Sequence, residues 1–129
     1  MAAKRERIQG KGITEHPQPF PAVVKIGNMV FTAGISGDDP ETHKVPDDID
    51  GQSKNCFTNM KAIIEAAGGT VDNIAKVTVY MKDRTADRDA FNKRWTEVFP
   101  SVDNCPVRHV IPNDLQGNRR IQIEFIAVL

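Results

Sequence analysis

The sequence predicts an α+β fold in which two helices cover one face of a mostly antiparallel, six-stranded sheet. Three observations carry that prediction. Apolar residues alternate near both ends of the chain, two internal stretches have the spacing of amphipathic helices, and glycine or proline separates these segments. The resulting element order is β-β-β-α-β-α-β-β. With 129 residues, the chain is predicted to form one domain over residues 1–129.

The first three predicted strands span residues 6–8, 22–26 and 29–33. A proline-bearing stretch separates the first two, and Gly27-Asn28 joins the last two as the turn of a tight hairpin. Gly34 is predicted to end the third strand. The polar segment 36–50 follows, and its acidic residues and His43 lack a repeating ligand spacing. We therefore predict a surface loop there rather than a metal site.

Two amphipathic helices and one central strand are predicted next. From about Gln52 to Ala67, apolar residues recur with a helical period, at Cys56, Phe57, Met60, Ile63, Ile64 and Ala67. Residues 76–81 are rich in β-branched side chains, which favours a central strand. The second helix is predicted to take Thr85 as its N-cap and to end at Pro100. Its core face holds Phe91, Trp95, Val98 and Phe99.

Two opposite charges lie inside the last two predicted strands, residues 105–112 and 121–129. Alternation places Arg108 on the same face as Val110, and Glu124 on the same face as Ile126. If the strands pair as a hairpin that turns near residues 116–117, Arg108 lies opposite Glu124. Such a pair is either a small anion-binding site or a structural ion pair that closes the end of the sheet. The residue types alone leave both interpretations open.

Composition narrows the possible partners and compartment. Lysine plus arginine equals aspartate plus glutamate at 17 each, spread along the chain, which argues against a nucleic-acid or membrane-surface function. No apolar run approaches a membrane span, and the basic N-terminus leads into no signal sequence, so we expect a cytoplasmic protein. Cys56 and Cys105 are expected to be free thiols. The second sheet face, partly apolar and without a covering layer, predicts self-association.

Several segments together resemble the RidA/YjgF family of enamine and imine deaminases. The matching pieces occur in family order between Pro19 and Val128. They are Gly27–Gly34, Asn55–Thr70, Val71–Asp83, Phe91-Asn92, Pro106–Arg108 and Ile123–Ala127. Each piece is unspecific alone, whereas the ordered set is specific.

The resemblance implies a chorismate-mutase-like fold and a homotrimer with active sites in the clefts between subunits. It also implies that Arg108 binds a substrate carboxylate with help from the backbone N–H of Gly34. Glu124 is implied to position or activate the hydrolytic water. Asn92 corresponds to a family residue that supports the site, although an exposed helix polar residue is the alternative interpretation.

Other positions near the implied pocket depart from the best-studied deaminase branch. Phe20 stands where that branch has tyrosine, Ala33 where it has serine, and Ile35 where it has glutamine. Val110 replaces a cysteine two residues after the arginine. We expect Phe20, Ala33 and Val110 to contribute to a less polar substrate pocket than usual.

The function that follows from the resemblance is hydrolysis of 2-imino or 2-enamino acids to 2-oxo acids and ammonia. Such substrates are already reactive, so anchoring, water orientation and stabilisation of a tetrahedral intermediate suffice, and no metal or cofactor is expected. The alternative is a non-catalytic trimer that binds small 2-oxo or other carboxylic acids in the same cleft. Ribonuclease activity fits poorly with zero net charge.

Overall fold

The computed structural model describes residues 4–129, and the element order follows the prediction with one strand added. The strands are β1 (Glu6–Arg7), β2 (Val23–Ile26), β3 (Met29–Thr32), β4 (Ile35–Ser36), β5 (Ile74–Met81), β6 (Val107–Pro112) and β7 (Ile121–Val128). The helices are α1 (Ile49–Ala66) and α2 (Arg84–Val98), with short 3-10 turns at Val71–Asn73 and Val102–Asn104. The α+β fold class is confirmed, but these strands form a seven-stranded sheet rather than a six-stranded one.

The additional strand, β4, is only two residues long. It pairs antiparallel with β7, with Ile35 opposite Ile123. Two residues are too few for alternation to be recognised in a sequence. β3 also pairs with β7, and the register shifts by one residue between β3 and β4. Ala33 and Gly34 therefore lie at an interruption of the ladder, a common place for a strand to bend.

Aspartate residues cap both helices. The Asp48 carboxylate accepts a hydrogen bond from a backbone N–H in the first turn of α1, and Gly68, with φ of +94°, leads the chain out of that helix. At α2 the N-cap is Asp83, whose side chain accepts from the backbone N–H of Ala86 at 3.0 Å. The prediction of Thr85 as the N-cap is wrong because Thr85 already lies inside the first turn.

The strand order is β1-β2-β3-β7-β5-β6, so the predicted hairpin between the last two strands is wrong. β5 lies between them, parallel to β6 and antiparallel to β7. The physical reason is the connection through α2, because a strand that follows a crossover helix returns parallel to its predecessor. The loop from β6 to β7 then crosses the end of β5, where Lys82 N–H donates to the Arg120 carbonyl at 3.0 Å.

Arg108 and Glu124 consequently do not face each other. Arg108 pairs in register with Val77 of β5, whereas Glu124 pairs with Thr78, the next residue along the same strand. Since successive side chains of a strand point to opposite faces, the two charges lie on opposite faces of the sheet. The interpretation as an intrachain ion pair is therefore excluded by the topology.

One face of the sheet packs against both helices and forms the core. Its buried residues include Val77, Val79, Met81, Ile121, Ile123, Phe125 and Ala127 from the sheet and Phe57, Met60, Ile64, Phe91 and Trp95 from the helices. The opposite face, which we call the open face, carries apolar residues that stay partly exposed, among them Val24, Ile26, Met29, Phe31, Ile126 and Val128. The predicted apolar second surface is present.

Candidate active site

Arg108 lies on β6 against an aromatic floor supplied by α2. Its guanidinium carbon is 4.9 Å from the centroid of the Trp95 ring and 5.3 Å from that of Phe91. Nη2 donates a hydrogen bond of 2.7 Å to Oδ1 of Asn92. Phe91 and Trp95 are one helical turn apart and both buried, so they are fixed by the core. Arg108 is thus held in place before any ligand arrives.

The positive charge of Arg108 is unpaired within residues 4–129, where no carboxylate lies within 4 Å of its nitrogens. Partial burial lowers the pKa of Arg108, and the nearby charge of Arg88 lowers it further. Both effects disfavour the charged form of Arg108 when no anion is beside it, although an arginine stays protonated at any ordinary pH. A desolvated guanidinium with spare N–H donors favours binding of an anion, and its planar fork suits a carboxylate.

The predicted supporting residue Asn92 is in contact with Arg108. The side of α2 that faces β6 carries Arg88, Asn92 and Trp95. Asn92 lies four residues after Arg88 and three before Trp95, which places all three on one side of the helix. Asn92 occupies one donor of the guanidinium through Nη2 and leaves other donors free. The tertiary contact argues against the alternative of a solvated helix side chain.

Glu124 lies on the open face and contacts a residue that sequence reasoning did not select. The Tyr80 hydroxyl donates to Oε1 of Glu124 at 2.8 Å. That hydrogen bond is the main cause of the raised pKa of Tyr80, with smaller contributions from burial and from the negative charge of Glu124. A shallow pocket of about 220 Å³ beside Glu124 is lined by Phe31, Thr32, Lys76, Thr78, Phe125 and Ile126. It is open enough for water and a small ligand.

Gly34 and Ala33 line a larger groove of about 530 Å³ near the end of the β3–β4–β7 ladder. A Cβ at Gly34 would lie 1.8 Å from Nε2 of Gln122, so glycine allows that side chain to cross the backbone closely. The groove also contains Arg119, whose Nη2 is 3.5 Å from Oδ1 of Asp38. Gln122 and Arg119 carried no recognisable signal in the sequence, because their proximity to Gly34 depends on the strand pairing.

Phe20 and Val110 are the remaining residues predicted to line the pocket. Phe20 is 46% exposed in the segment before β2, with its ring centroid 4.2 Å from that of His16. Val110 is on the same face of β6 as Arg108 but packs against the core. Neither lines the pocket beside Glu124 or the groove at Gly34. The predicted residues therefore fall into separate groups. Arg108, Asn92 and Val110 lie on the helix side of the sheet, and Glu124 lies on the open face. Ala33 and Gly34 line the groove, and Phe20 lies in the segment before β2.

An ion pair between the buried carboxylate of Asp87 and the partly exposed side chain of Arg120 fixes the position of α2 relative to β7. Arg120, just before β7, donates two hydrogen bonds to the Asp87 carboxylate at 2.8 and 2.9 Å, and Asp87 is only 2% exposed. The bidentate contact raises the pKa of Arg120. Gln52 of α1 extends the network by accepting from the Arg120 backbone N–H at 2.8 Å. This network holds in place the helix that supports Arg108.

Neither a metal centre nor a membrane span is evident in the portion of the chain that the structure describes. Residues 4–129 contain no group of three or more histidine, cysteine, aspartate or glutamate side chains placed to hold a metal ion. None of the helices in that range combines the length and apolar character needed to cross a bilayer.

Comparisons with known proteins place the chain in a family. The family model for endoribonuclease L-PSP matches residues 14–129. The chain is 36% identical over 116 residues to a 2-iminobutanoate/2-iminopropanoate deaminase of Escherichia coli, covering 85% of this chain and 87% of that protein. It is 42% identical over 111 residues to a RutC family protein of Pyrococcus abyssi, covering 84% and 85%.

Solved structures give the same result. The crystal structure of Escherichia coli TdcF with bound serine is 30% identical, with a TM-score of 0.87 over 96% of this chain and 98% of that one. RidA from an Antarctic Psychrobacter species is 28% identical with the same TM-score, covering 96% and 99%. The matched family model, the curated relatives and the shared fold lead to one conclusion: this chain belongs to the endoribonuclease L-PSP family, which is also called the RidA/YjgF family.

Proposed function

We propose that this protein is a deaminase that hydrolyses reactive 2-imino or 2-enamino acids to 2-oxo acids and ammonia. The observation that carries the proposal is Arg108, a partly buried cation held by Asn92 and two aromatic rings with no carboxylate partner in residues 4–129. Relatives named as deaminases of 2-iminobutanoate and 2-iminopropanoate support the substrate class. The serine bound to TdcF carries an α-carboxylate, as a 2-imino acid does, and Arg108 is suited to bind such a group.

The opposite orientation of Arg108 and Glu124 has a consequence for assembly. One chain directs Arg108 toward α2 and Glu124 toward the open face, so the two reach one small ligand only if two copies contribute. The open face also carries partly exposed apolar residues such as Met29 and Val128. We therefore propose the homotrimer with inter-subunit clefts that the family resemblance implies, with Arg108 from one subunit and Glu124 and Gly34 from its neighbour.

The reaction moves two protons, each by way of Glu124, and needs no redox step. Arg108 binds the substrate carboxylate, and Glu124 accepts a proton from water as the water oxygen bonds to the imine carbon. That proton passes to nitrogen and gives a tetrahedral carbinolamine. Its hydroxyl proton then moves through Glu124 to the same nitrogen while the C–N bond breaks. The products are a 2-oxo acid and ammonia, and the water supplies the carbonyl oxygen and both added protons.

A coupled assay tests this proposal. An amino-acid oxidase generates 2-iminobutyrate, and its decay is followed with and without the purified protein. We expect faster decay with wild-type protein, loss of that acceleration in Arg108→Ala, and retention in Lys54→Met, which removes an exposed cation from α1. Decay no faster than in buffer, or equal acceleration by Arg108→Ala, refutes the proposal.

The alternative of a non-catalytic carboxylate binder is distinguished by a binding measurement on the same samples. Trp95 is the only tryptophan of the chain and lies 4.9 Å from the guanidinium of Arg108, so its fluorescence should respond to an occupied site. Saturable binding of 2-oxobutyrate without any acceleration of imine decay would favour the binder. The relatives named as deaminases favour the enzyme.

A further inference from the structure

We propose that Tyr80 is a positioning residue for Glu124: its hydroxyl holds one oxygen of the carboxylate and directs the other toward the hydrolytic water. This inference rests on the proposed function, because it assigns a role within that reaction. The role of Tyr80 does not depend on the aromatic floor beneath Arg108, which lies on the other face of the sheet.

The contact is built by two central strands of the sheet. Tyr80 on β5 pairs in register with Gln122 of β7 and reaches diagonally to Glu124, two residues further along the same face. The donor–acceptor distance is 2.8 Å. β5 is hydrogen-bonded on both sides, to β6 and β7, so the backbone that carries Tyr80 is fixed. An aromatic side chain with two rotatable bonds adds little freedom to that frame.

The hydrogen bonds made by the Glu124 carboxylate determine which of its oxygens can accept from water. An ionised carboxylate accepts through two oxygens, and Tyr80 occupies Oε1 of Glu124. Within residues 4–129, no donor is hydrogen-bonded to Oε2. Oε2 is therefore the oxygen free to accept from water in the shallow pocket beside it. Lys76 lines the same pocket, and His109 is on the same face through its pairing with Thr78.

A fixed orientation matters because proton transfer requires the acceptor oxygen within hydrogen-bond reach of the attacking water. A glutamate side chain has three rotatable bonds, so an unrestrained Glu124 would spend part of its time in unproductive rotamers. Tyr80 donates without adding a charge and keeps its own proton throughout. The proton taken from water travels through Oε2 to the substrate nitrogen, and the Tyr80 hydroxyl stays on Oε1.

Tyr80→Phe is the direct test, since it removes only the hydroxyl. We expect kcat for imine hydrolysis to fall roughly 10-fold to 100-fold, as for loss of one hydrogen bond to a charged group, with little change in KM. KM should hold because Arg108 anchors the substrate. Thr58→Ala, which removes an exposed hydroxyl from α1, serves as the matched control and should retain wild-type kcat. Thermal unfolding confirms that Tyr80→Phe is folded.

A second measurement detects the hydrogen bond itself. Tyr80 is the only tyrosine of the chain, so the near-ultraviolet absorbance of tyrosinate reports on this side chain alone. The hydrogen bond to Glu124 raises the pKa of Tyr80, and Glu124→Gln should bring that pKa down toward its ordinary value of 10.0 because the negative acceptor is lost.

The outcomes separate this inference from the proposed function. If wild-type protein does not accelerate imine decay, both are wrong. If wild-type protein is active and Tyr80→Phe keeps its kcat, only the role of Tyr80 is wrong. An unchanged tyrosine titration in Glu124→Gln also overturns it, because the two side chains would then not be hydrogen-bonded. Lower kcat with unchanged KM, together with the shifted titration, supports it.

Discussion

Replacing Arg108 with methionine separates a ligand-binding arginine from a structural one. Methionine keeps most of the length and apolar contact of the side chain but removes the guanidinium. If Arg108 forms a bidentate contact with a substrate carboxylate, two hydrogen bonds to a charged group are lost, about 3–6 kcal/mol together. This predicts a roughly 10²- to 10⁴-fold loss of affinity for 2-oxobutyrate.

The effect of Arg108→Met on folding should be small. The variant loses the contact with the Trp95 and Phe91 rings, worth about 0.5–2 kcal/mol. It also loses the hydrogen bond from the charged guanidinium to Asn92, worth about 1.5 kcal/mol at this half-buried position. The variant also removes a partly buried cation that has no carboxylate partner in the part of the chain the structure describes. That removal raises the free energy of unfolding. Relief of that desolvation offsets about 1 kcal/mol or more, so we expect the free energy of unfolding to fall by no more than about 2 kcal/mol.

Isothermal titration calorimetry measures the affinity independently of Trp95 fluorescence, whose surroundings the substitution alters, and urea unfolding measures stability. Lys54→Met is the control, with wild-type affinity and stability expected. A destabilisation above about 3 kcal/mol in Arg108→Met, the range typical of broken buried ion pairs, would show that Arg108 is structural. Binding of 2-oxobutyrate with wild-type affinity would refute the carboxylate contact.

Three further predictions concern other parts of the fold. Gly34→Ala should lower the free energy of unfolding by about 1 kcal/mol in urea denaturation because the added Cβ displaces Gln122, and Gln122→Ala in the same chain should remove most of that cost. The hydrogen bond from Arg94 lowers the pKa of Asp50, so their pair stabilises the fold above the ordinary Asp50 value of 3.8 and ceases to do so as the pH falls through the lowered pKa. The excess stability of wild-type protein over Asp50→Asn should accordingly shrink in acid, and a pH-independent difference would contradict this. Burial raises the pKa of the Cys56 thiol, so an alkylating reagent should modify it in urea but not in the native protein, as peptide mass analysis would show.

Local pattern predicted most of the elements. The helical period of α1, the β-branched content of β5 and the Gly27-Asn28 turn are properties of contiguous residues, and the structure confirms each of them. The errors occur where a strand is very short or where neighbouring residues have similar capping propensities. β4 has two residues, and Thr85, the predicted cap of α2, lies two residues after Asp83, the observed cap. Propensity cannot choose between such neighbours without the backbone geometry.

The pairing of Arg108 and Glu124 failed for a different reason. Alternation within each strand was correct, but the hairpin assumed that strands adjacent in sequence are adjacent in the sheet. The β5–α2–β6 crossover makes β6 parallel to β5, and the chain then adds β7 on the far side of β5. The sequence carries no local record of that insertion, so the neighbours Tyr80, Gln122 and Arg119 could not be selected from it.

The amino-acid sequence by itself determined the fold class, the order of the helices and most strands, the apolar open face and, through resemblance, the family. These properties depend on periodicity and on motifs that are read along the chain. Only the tertiary structure decided that Arg108 and Glu124 lie on opposite faces of the sheet. It also decided that two aromatic rings contact Arg108 and that the Tyr80 hydroxyl donates to Glu124. The reason is that strand order and register are set by the packing of distant segments against one core, and a one-residue difference in register sends a side chain to the other face.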